Sequence, residues 1–137
     1  MPKKKNKKDY TYAVGRRRSA SARVRLFRGK GESTVNGKPA DKYFVGSIIE
    51  NKWKKPFMVI DEVDKYYFTA KVTGGGKQGQ LNAVLLGVSR ALSKLEEEKY
   101  RIPLKKAGLL TRDSRVRERR KVGTGGKARR KKQSPKR

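Results

Sequence analysis

The chain has 137 residues, of which 39 are Lys or Arg and 12 are Asp or Glu, with no His and no Cys, giving a net charge of +27. A compact body with this excess repels itself and needs counter-charge, which cells supply most abundantly as nucleic acid or anionic membrane. The missing Cys and His exclude a disulfide framework, thiolate metal sites and the commonest general base, so neither a metal nor another cofactor is expected.

The length fits one small domain of about 100 to 150 residues. Only 34% of residues are apolar, against about 45 to 50% for globular domains counted with Gly, so part of the chain is expected outside the core. Residues 1–9 carry five Lys and one Asp, while residues 111–137 carry thirteen basic and two acidic side chains. Blocks of like charge stay solvated. The reading is therefore a basic N-terminal arm at 1–9, an α+β core at 10–110 and a basic C-terminal arm at 111–137. The N-terminus lacks the apolar run of a signal peptide. The most apolar stretch, residues 81–95, is broken by Asn82, Arg90 and Lys94, short of the about 20 apolar residues that a membrane span needs. A cytoplasmic protein with no membrane partner is expected.

Residues 10–17 are rich in strand formers. Across residues 19–28, Ala20, Ala22, Val24 and Leu26 alternate with Ser21, Arg23 and Arg25, which predicts a half-buried strand with a cationic outer face. Val35-Asn36-Gly37 ends a third strand at a turn, and the three are expected to form an antiparallel meander. Residues 41–53 have a weak helical pattern, with an interruption expected at Pro56. Tyr66, Phe68, Ala70 and Val72 alternate with Tyr67, Thr69 and Lys71 in a further strand that runs into Gly74-Gly75-Gly76. Past these glycines the period changes: Leu81, Val84, Leu85, Val88, Leu92 and Leu95 recur at helical spacing and predict the main helix. A second short helix is predicted over 97–105, limited by Pro103, and Thr111-Arg112-Asp113 is read as capping a turn or short helix through Val116. Such an order describes an α+β sandwich, one sheet covered by helices on a single face and polar on the other. Trp53 and the six Tyr could stack on bases, but most of them are assigned to the core.

Three segments carry the chemistry. Arg16, Arg17 and Arg18 end the first strand and lead into the Arg23 and Arg25 face, where planar guanidinium forks can take phosphate bidentately. Gly74, Gly75, Gly76 and Lys77 join a strand to a helix N-terminus, so backbone amides, helix dipole and ammonium can converge on a phosphate. This is no nucleotide-binding P-loop, because Gln78 follows Gly76-Lys77 where that motif needs Ser or Thr. Arg112, Arg115, Arg117, Arg119, Arg120 and Lys121 precede a glycine-rich break, after which Lys127, Arg129 and Arg130 continue the run; segments of this kind fold on nucleic acid. Only Lys, Tyr, Ser, Thr, Asp and Glu remain for catalysis and none stands at a recognisable spacing, so an enzyme is not expected. A nucleic-acid compacting protein would share the charge.

The residues also come in a familiar order. Residues 15–24 (GRRRSASARV), Val35-Asn36-Gly37, residues 74–80 (GGGKQGQ), residues 110–115 (LTRDSR), Glu118-Arg119-Arg120-Lys121 and the terminal Lys136-Arg137 succeed one another. The chain thereby resembles the universal small-subunit ribosomal protein nine family, in its bacterial form, over about residues 10–137, and a compacting protein would not account for these ordered motifs. The resemblance implies a fold like the second domain of ribosomal protein five, a four-stranded sheet with helices on one face. It implies a structural place in the head of the small subunit, supporting translation, with 16S-like ribosomal RNA and neighbouring head proteins as partners and no homo-oligomer. It further implies a C-terminal tail that reaches toward the peptidyl-site transfer RNA, with Lys136 and Arg137 at the anticodon stem-loop. Gln133-Ser134-Pro135 stands before that pair where many family tails carry an aromatic residue and Ser, and the Lys-rich residues 1–9 fall outside the common pattern.

Overall fold

The computed structural model describes residues 10–44 and 52–123; the expected arm at 1–9, Ile48 and Ile49, and the C-terminal residues from 124 onward lie outside them. Strands β1 (Tyr10–Arg17) and β2 (Ala20–Arg28) pair antiparallel along their whole length. The predicted alternation holds: Ala20, Ala22, Val24 and Leu26 are buried, and Arg23 and Arg25 are exposed on the opposite face.

The third strand departs from a meander. Strand β3 (Thr34–Val35) turns at Asn36-Gly37 into β4 (Lys38–Pro39), but β3 pairs in parallel with β5 (Tyr66–Thr73), which lies between it and β2. The sheet therefore has five strands rather than four, in the order β1-β2-β5-β3-β4. Length decides the partner, since β5 matches β2 from Ser21 opposite Thr73 to Arg28 opposite Tyr66, a ladder that the two residues of β3 cannot offer. Asn36 extends the short β3 with its side chain, accepting from the Val72 amide at 2.8 Å and donating to the Val72 carbonyl at 3.1 Å. Pro39, which has no N–H to give, sits on the edge strand where none is needed.

Two prolines also act differently from the sequence reading. After α1 (Ala40–Tyr43) and a 3-10 turn at Lys52–Lys54, Pro56 stands in the first turn of α2 (Lys55–Val59) and starts that helix instead of interrupting one. Its missing N–H would have had no helical partner there. Pro103 lies inside α4 (Glu97–Lys106) without ending it, because burial of Tyr100 and Leu104 holds the helix on both sides of the ring. Residues 112–121 form neither helix nor strand, so the turn or short helix read through Val116 has no helix among the described residues.

The main helix α3 (Lys77–Leu95) crosses the inner sheet face over β1 and β2, burying Leu81, Val84, Val88 and Leu92 against Val24, Phe68 and Val72. Backbone meets backbone at one place. A Cβ on Gly15 would lie 1.8 Å from the Ala83 carbonyl oxygen, and one on Gly87 would lie 2.7 Å from Val24 Cγ2 and 3.2 Å from the Gly15 nitrogen. This approach lets α3 guard the sheet edge, where Arg90 donates to the Val14 carbonyl at 2.9 Å and Lys94 to the Tyr12 carbonyl at 3.4 Å. These two cations occupy acceptors on which another strand would otherwise add.

At the other end, buried Glu62 ties the turn before β5 to α4. It accepts from the Tyr100 hydroxyl, which in turn meets the Tyr66 hydroxyl at 2.9 Å, and it pairs with Lys99 at 2.9 Å and Lys65 at 3.2 Å. The Tyr100 hydrogen bond foremost, then Lys99, holds the Glu62 carboxyl down at about 2. Burial, and then the hydrogen bond to Glu62, pushes the Tyr100 phenol well above its ordinary range.

Gly15→Ala is expected to destabilise the free chain by about 1–3 kcal/mol or more, the cost of overpacking a close contact, and by more than Gly87→Ala, whose nearest obstacle is a side chain. Chemical denaturation midpoints at constant slope check both the size and the order.

Candidate nucleic-acid interface

The first two predicted cationic segments meet the start of the third at the α3 N-terminus. Residues Arg18 and Ser19 make the turn between β1 and β2, and the glycine loop after β5 lies against it: a Cβ on Gly74 would be 2.4 Å from the Ser19 carbonyl oxygen. Gly74 and Gly75 both have positive φ, 76° and 64°, so side chains are disfavoured there by conformation, and at Gly74 by contact as well. Gln80 fixes the loop from α3, donating to the Gly74 carbonyl at 3.1 Å while accepting from the Tyr43 hydroxyl at 2.5 Å. Lys77 stands 3.3 Å over the Tyr43 ring, an orientation set by cation–π attraction.

The segment after α4 closes the other side. Asp113 receives the Arg115 amide at 3.0 Å and its guanidinium at 2.7–3.1 Å, and pairs with Arg17 at 3.4 Å. Arg17 also donates to the Arg115 carbonyl at 2.5 Å. Hydrogen bonds from the Arg115 side chain, then from its backbone amide, hold the Asp113 carboxyl well below its usual range, with the Arg17 charge adding to them.

The three successive arginines thus separate. Arg17 occupies an inward strand position on the side of Gly15, is buried, and serves as the bolt between β1 and the segment around Asp113. Arg16 and Arg18 are exposed and, with Arg112, have no acidic partner among the described residues. Arg18 sits at φ 54°, a left-handed conformation costing about 1–2 kcal/mol for a residue with a Cβ, at the tip of the hairpin. Between these parts lies a cleft of about 480 Å³ that also exposes Gln78, Asn82 and Thr111. Guanidinium groups flanked by amides and hydroxyls are the donors that hold phosphate oxygens and ribose hydroxyls.

Arg23 and Arg25 form a second surface with Lys71 on the uncovered sheet face. Arg117, Arg119, Arg120 and Lys121 are exposed along the segment after Thr111. Lys127, Arg129, Arg130, Lys136 and Arg137 lie outside the described residues. Sequence reasoning missed Asp113 as the anchor, since one acid in a basic run carries no local mark. It also missed Gln78 and Asn82, whose places on α3 facing the turn follow only from the helix crossing. Among the described residues no group of three acidic side chains is placed to hold a metal, and no helix is long and apolar enough to cross a membrane.

Residues 15–137 match the model of the family described as ribosomal protein S9/S16. The small ribosomal subunit protein uS9 of Leifsonia xyli is 49% identical over 111 residues, 81% of this chain and 66% of the relative. That of Maridesulfovibrio salexigens is 45% identical over 119 residues, 87% of this chain and 91% of the relative. A third, from Pseudarthrobacter chlorophenolicus, is 44% identical over 111 residues; the chain spans 66% of its length, as it does of the Leifsonia protein.

Asp113→Asn is expected to release the segment from β1 and speed amide hydrogen exchange over residues 109–116 at neutral pH. Because the folded carboxyl is depressed, the anchoring in the parent chain is complete above the unfolded value of 3.8 and is lost only as pH falls well below it. Exchange rates corrected for intrinsic chemistry should show that acid transition in the parent and not in the variant.

Proposed function

We propose that this chain, which belongs to the ribosomal protein S9/S16 family, is a structural protein of the small ribosomal subunit that binds ribosomal RNA and is not an enzyme. The observation that carries this reading is the convergence of Arg16, Arg18, the first turn of α3 and the segment from Thr111 to Arg115 around one cleft whose lining acid, Asp113, is already consumed by Arg17 and Arg115. Family membership supports 16S-like RNA and proteins of the subunit head as the partners.

The C-terminal tail extends this function. From Lys127 to Arg137 is eleven residues, which extended span up to roughly 36–40 Å, enough to carry Lys136 and Arg137 away from the body toward the peptidyl-site transfer RNA. These side chains supply charge and no core.

Binding to a small-subunit RNA fragment is expected to fall about 10³ to 10⁵-fold from 50 to 200 mM salt if 6 to 10 phosphates are neutralised. Arg16→Gln with Arg18→Gln should flatten the logarithmic salt slope by about 2; an unchanged slope would remove the hairpin tip from the interface. Deleting residues 135–137 should leave incorporation into subunits unchanged and speed transfer RNA dissociation from the peptidyl site. Equal dissociation rates would leave the chain an RNA scaffold only.

A further inference from the structure

The uncovered face of the sheet is ordered in rungs. Tyr12 on β1 lies opposite Arg25 on β2, which lies opposite Thr69 on β5 and so Thr34 on β3. The next rung sets Val14 opposite Arg23 and Arg23 opposite Lys71. Like charges directly opposed on neighbouring strands repel across about 5 Å, and neither Arg23 nor Lys71 has a partner among the described residues. The shallow groove over these rungs holds about 770 Å³ and is lined by no acid. Among the described residues nothing supplies its counter-charge.

The aromatic residues on this face divide into two sets. Tyr10, Phe27 and Tyr67 satisfy one another, with Phe27 stacked 5.1 Å from Tyr67 and tilted 5.7 Å from Tyr10. The chain at Gly31 covers Tyr67 so closely that a Cβ there would be 2.8 Å from the ring. Tyr12 is left out of that cluster. It is 41% exposed, no ring stacks on it, and Lys94 holds its carbonyl from the edge of the sheet. An open aromatic ring beside three cations and two threonine hydroxyls fits a base stacked on the ring with its phosphates on the guanidinium and ammonium groups. A duplex keeps its bases within its own stack and offers such a ring nothing.

From this arrangement we infer that the uncovered sheet face, centred on Tyr12, Arg25, Arg23 and Lys71, binds an unpaired RNA segment, separately from the cleft at the hairpin tip. The inference rests on the RNA-binding reading above and adds to it the form of RNA that this face takes.

The test uses the full chain with three probes, a short unstructured oligoribonucleotide, an RNA duplex of equal length and polyglutamate, titrated over a range of salt. Stacking is worth roughly 5- to 150-fold in affinity per base, so Tyr12→Ala should weaken the single strand by a factor in that range at every salt concentration. Duplex binding should stay within about twofold, and Tyr12→Phe should keep parent affinity for both. Arg23→Gln with Lys71→Gln should flatten the salt slope for the single strand. Equal losses on both RNA probes with Tyr12→Ala, or none on either, would overturn the inference while leaving RNA binding intact. Loss of affinity for polyglutamate alone would assign the face to an acidic protein and overturn it as well. A parent chain that binds neither RNA would instead overturn the underlying reading.

Discussion

The contact between Gly15 and Gly87 sets the depth at which α3 lies on the sheet, and the two functional surfaces follow from it. With no Cβ on either residue, the helix backbone reaches β1 directly. Any bulkier pair would lift the helix and open the layer formed by Val24, Val84 and Val88. At this depth the start of α3 stands beside the hairpin tip, which brings Gln78 and Asn82 to Arg16 and Arg18. One and two turns beyond Gly87, Arg90 and Lys94 reach the carbonyls of β1 and close that edge. The sheet is left with one free surface, its outer face.

Charge is distributed with the same economy. Acidic side chains sit where two elements must be joined: Glu62 between the turn before β5 and α4, Asp113 between β1 and the start of the C-terminal segment, and Glu96 beside Arg28. None lines the groove on the outer face, and Asp113 in the cleft is engaged by two arginines. Pairing within the described residues thus neutralises cations that hold the fold and leaves Arg16, Arg18, Arg23 and Lys71 for a polyanion. A fold that carries opposed like charges on neighbouring strands is less stable alone than with its partner bound.

Local patterns were legible in the sequence, and non-local choices were not. Alternation from Ala20 to Leu26 and the helical spacing from Leu81 to Leu95 each report which face is buried, so β2, β5 and α3 could be read directly. The insertion of β5 between β2 and β3 depends on a competition between ladders far apart in the chain, which no window of residues contains. Pro56 and Pro103 misled because a proline that starts a helix, one that a packed helix tolerates and one that ends a helix look alike without their neighbours. Arg17 shows the same limit: its inward place follows from period two, but its partners Asp113 and Arg115 lie at the opposite end of the domain. The ordered motifs made the family legible even where the strand count was not.

On the proposed function, RNA lands on the hairpin tip and the outer sheet face of this domain. Arginine-selective modification by phenylglyoxal, followed residue by residue by mass spectrometry in the free chain and in assembled small subunits, tests it most directly. Arg16, Arg18 and Arg23 should react in the free chain and be protected in the subunit, while Arg17 should react poorly in both because it is buried against Asp113. Arg16, Arg18 and Arg23 reacting as fast in the subunit as in the free chain would contradict the proposal.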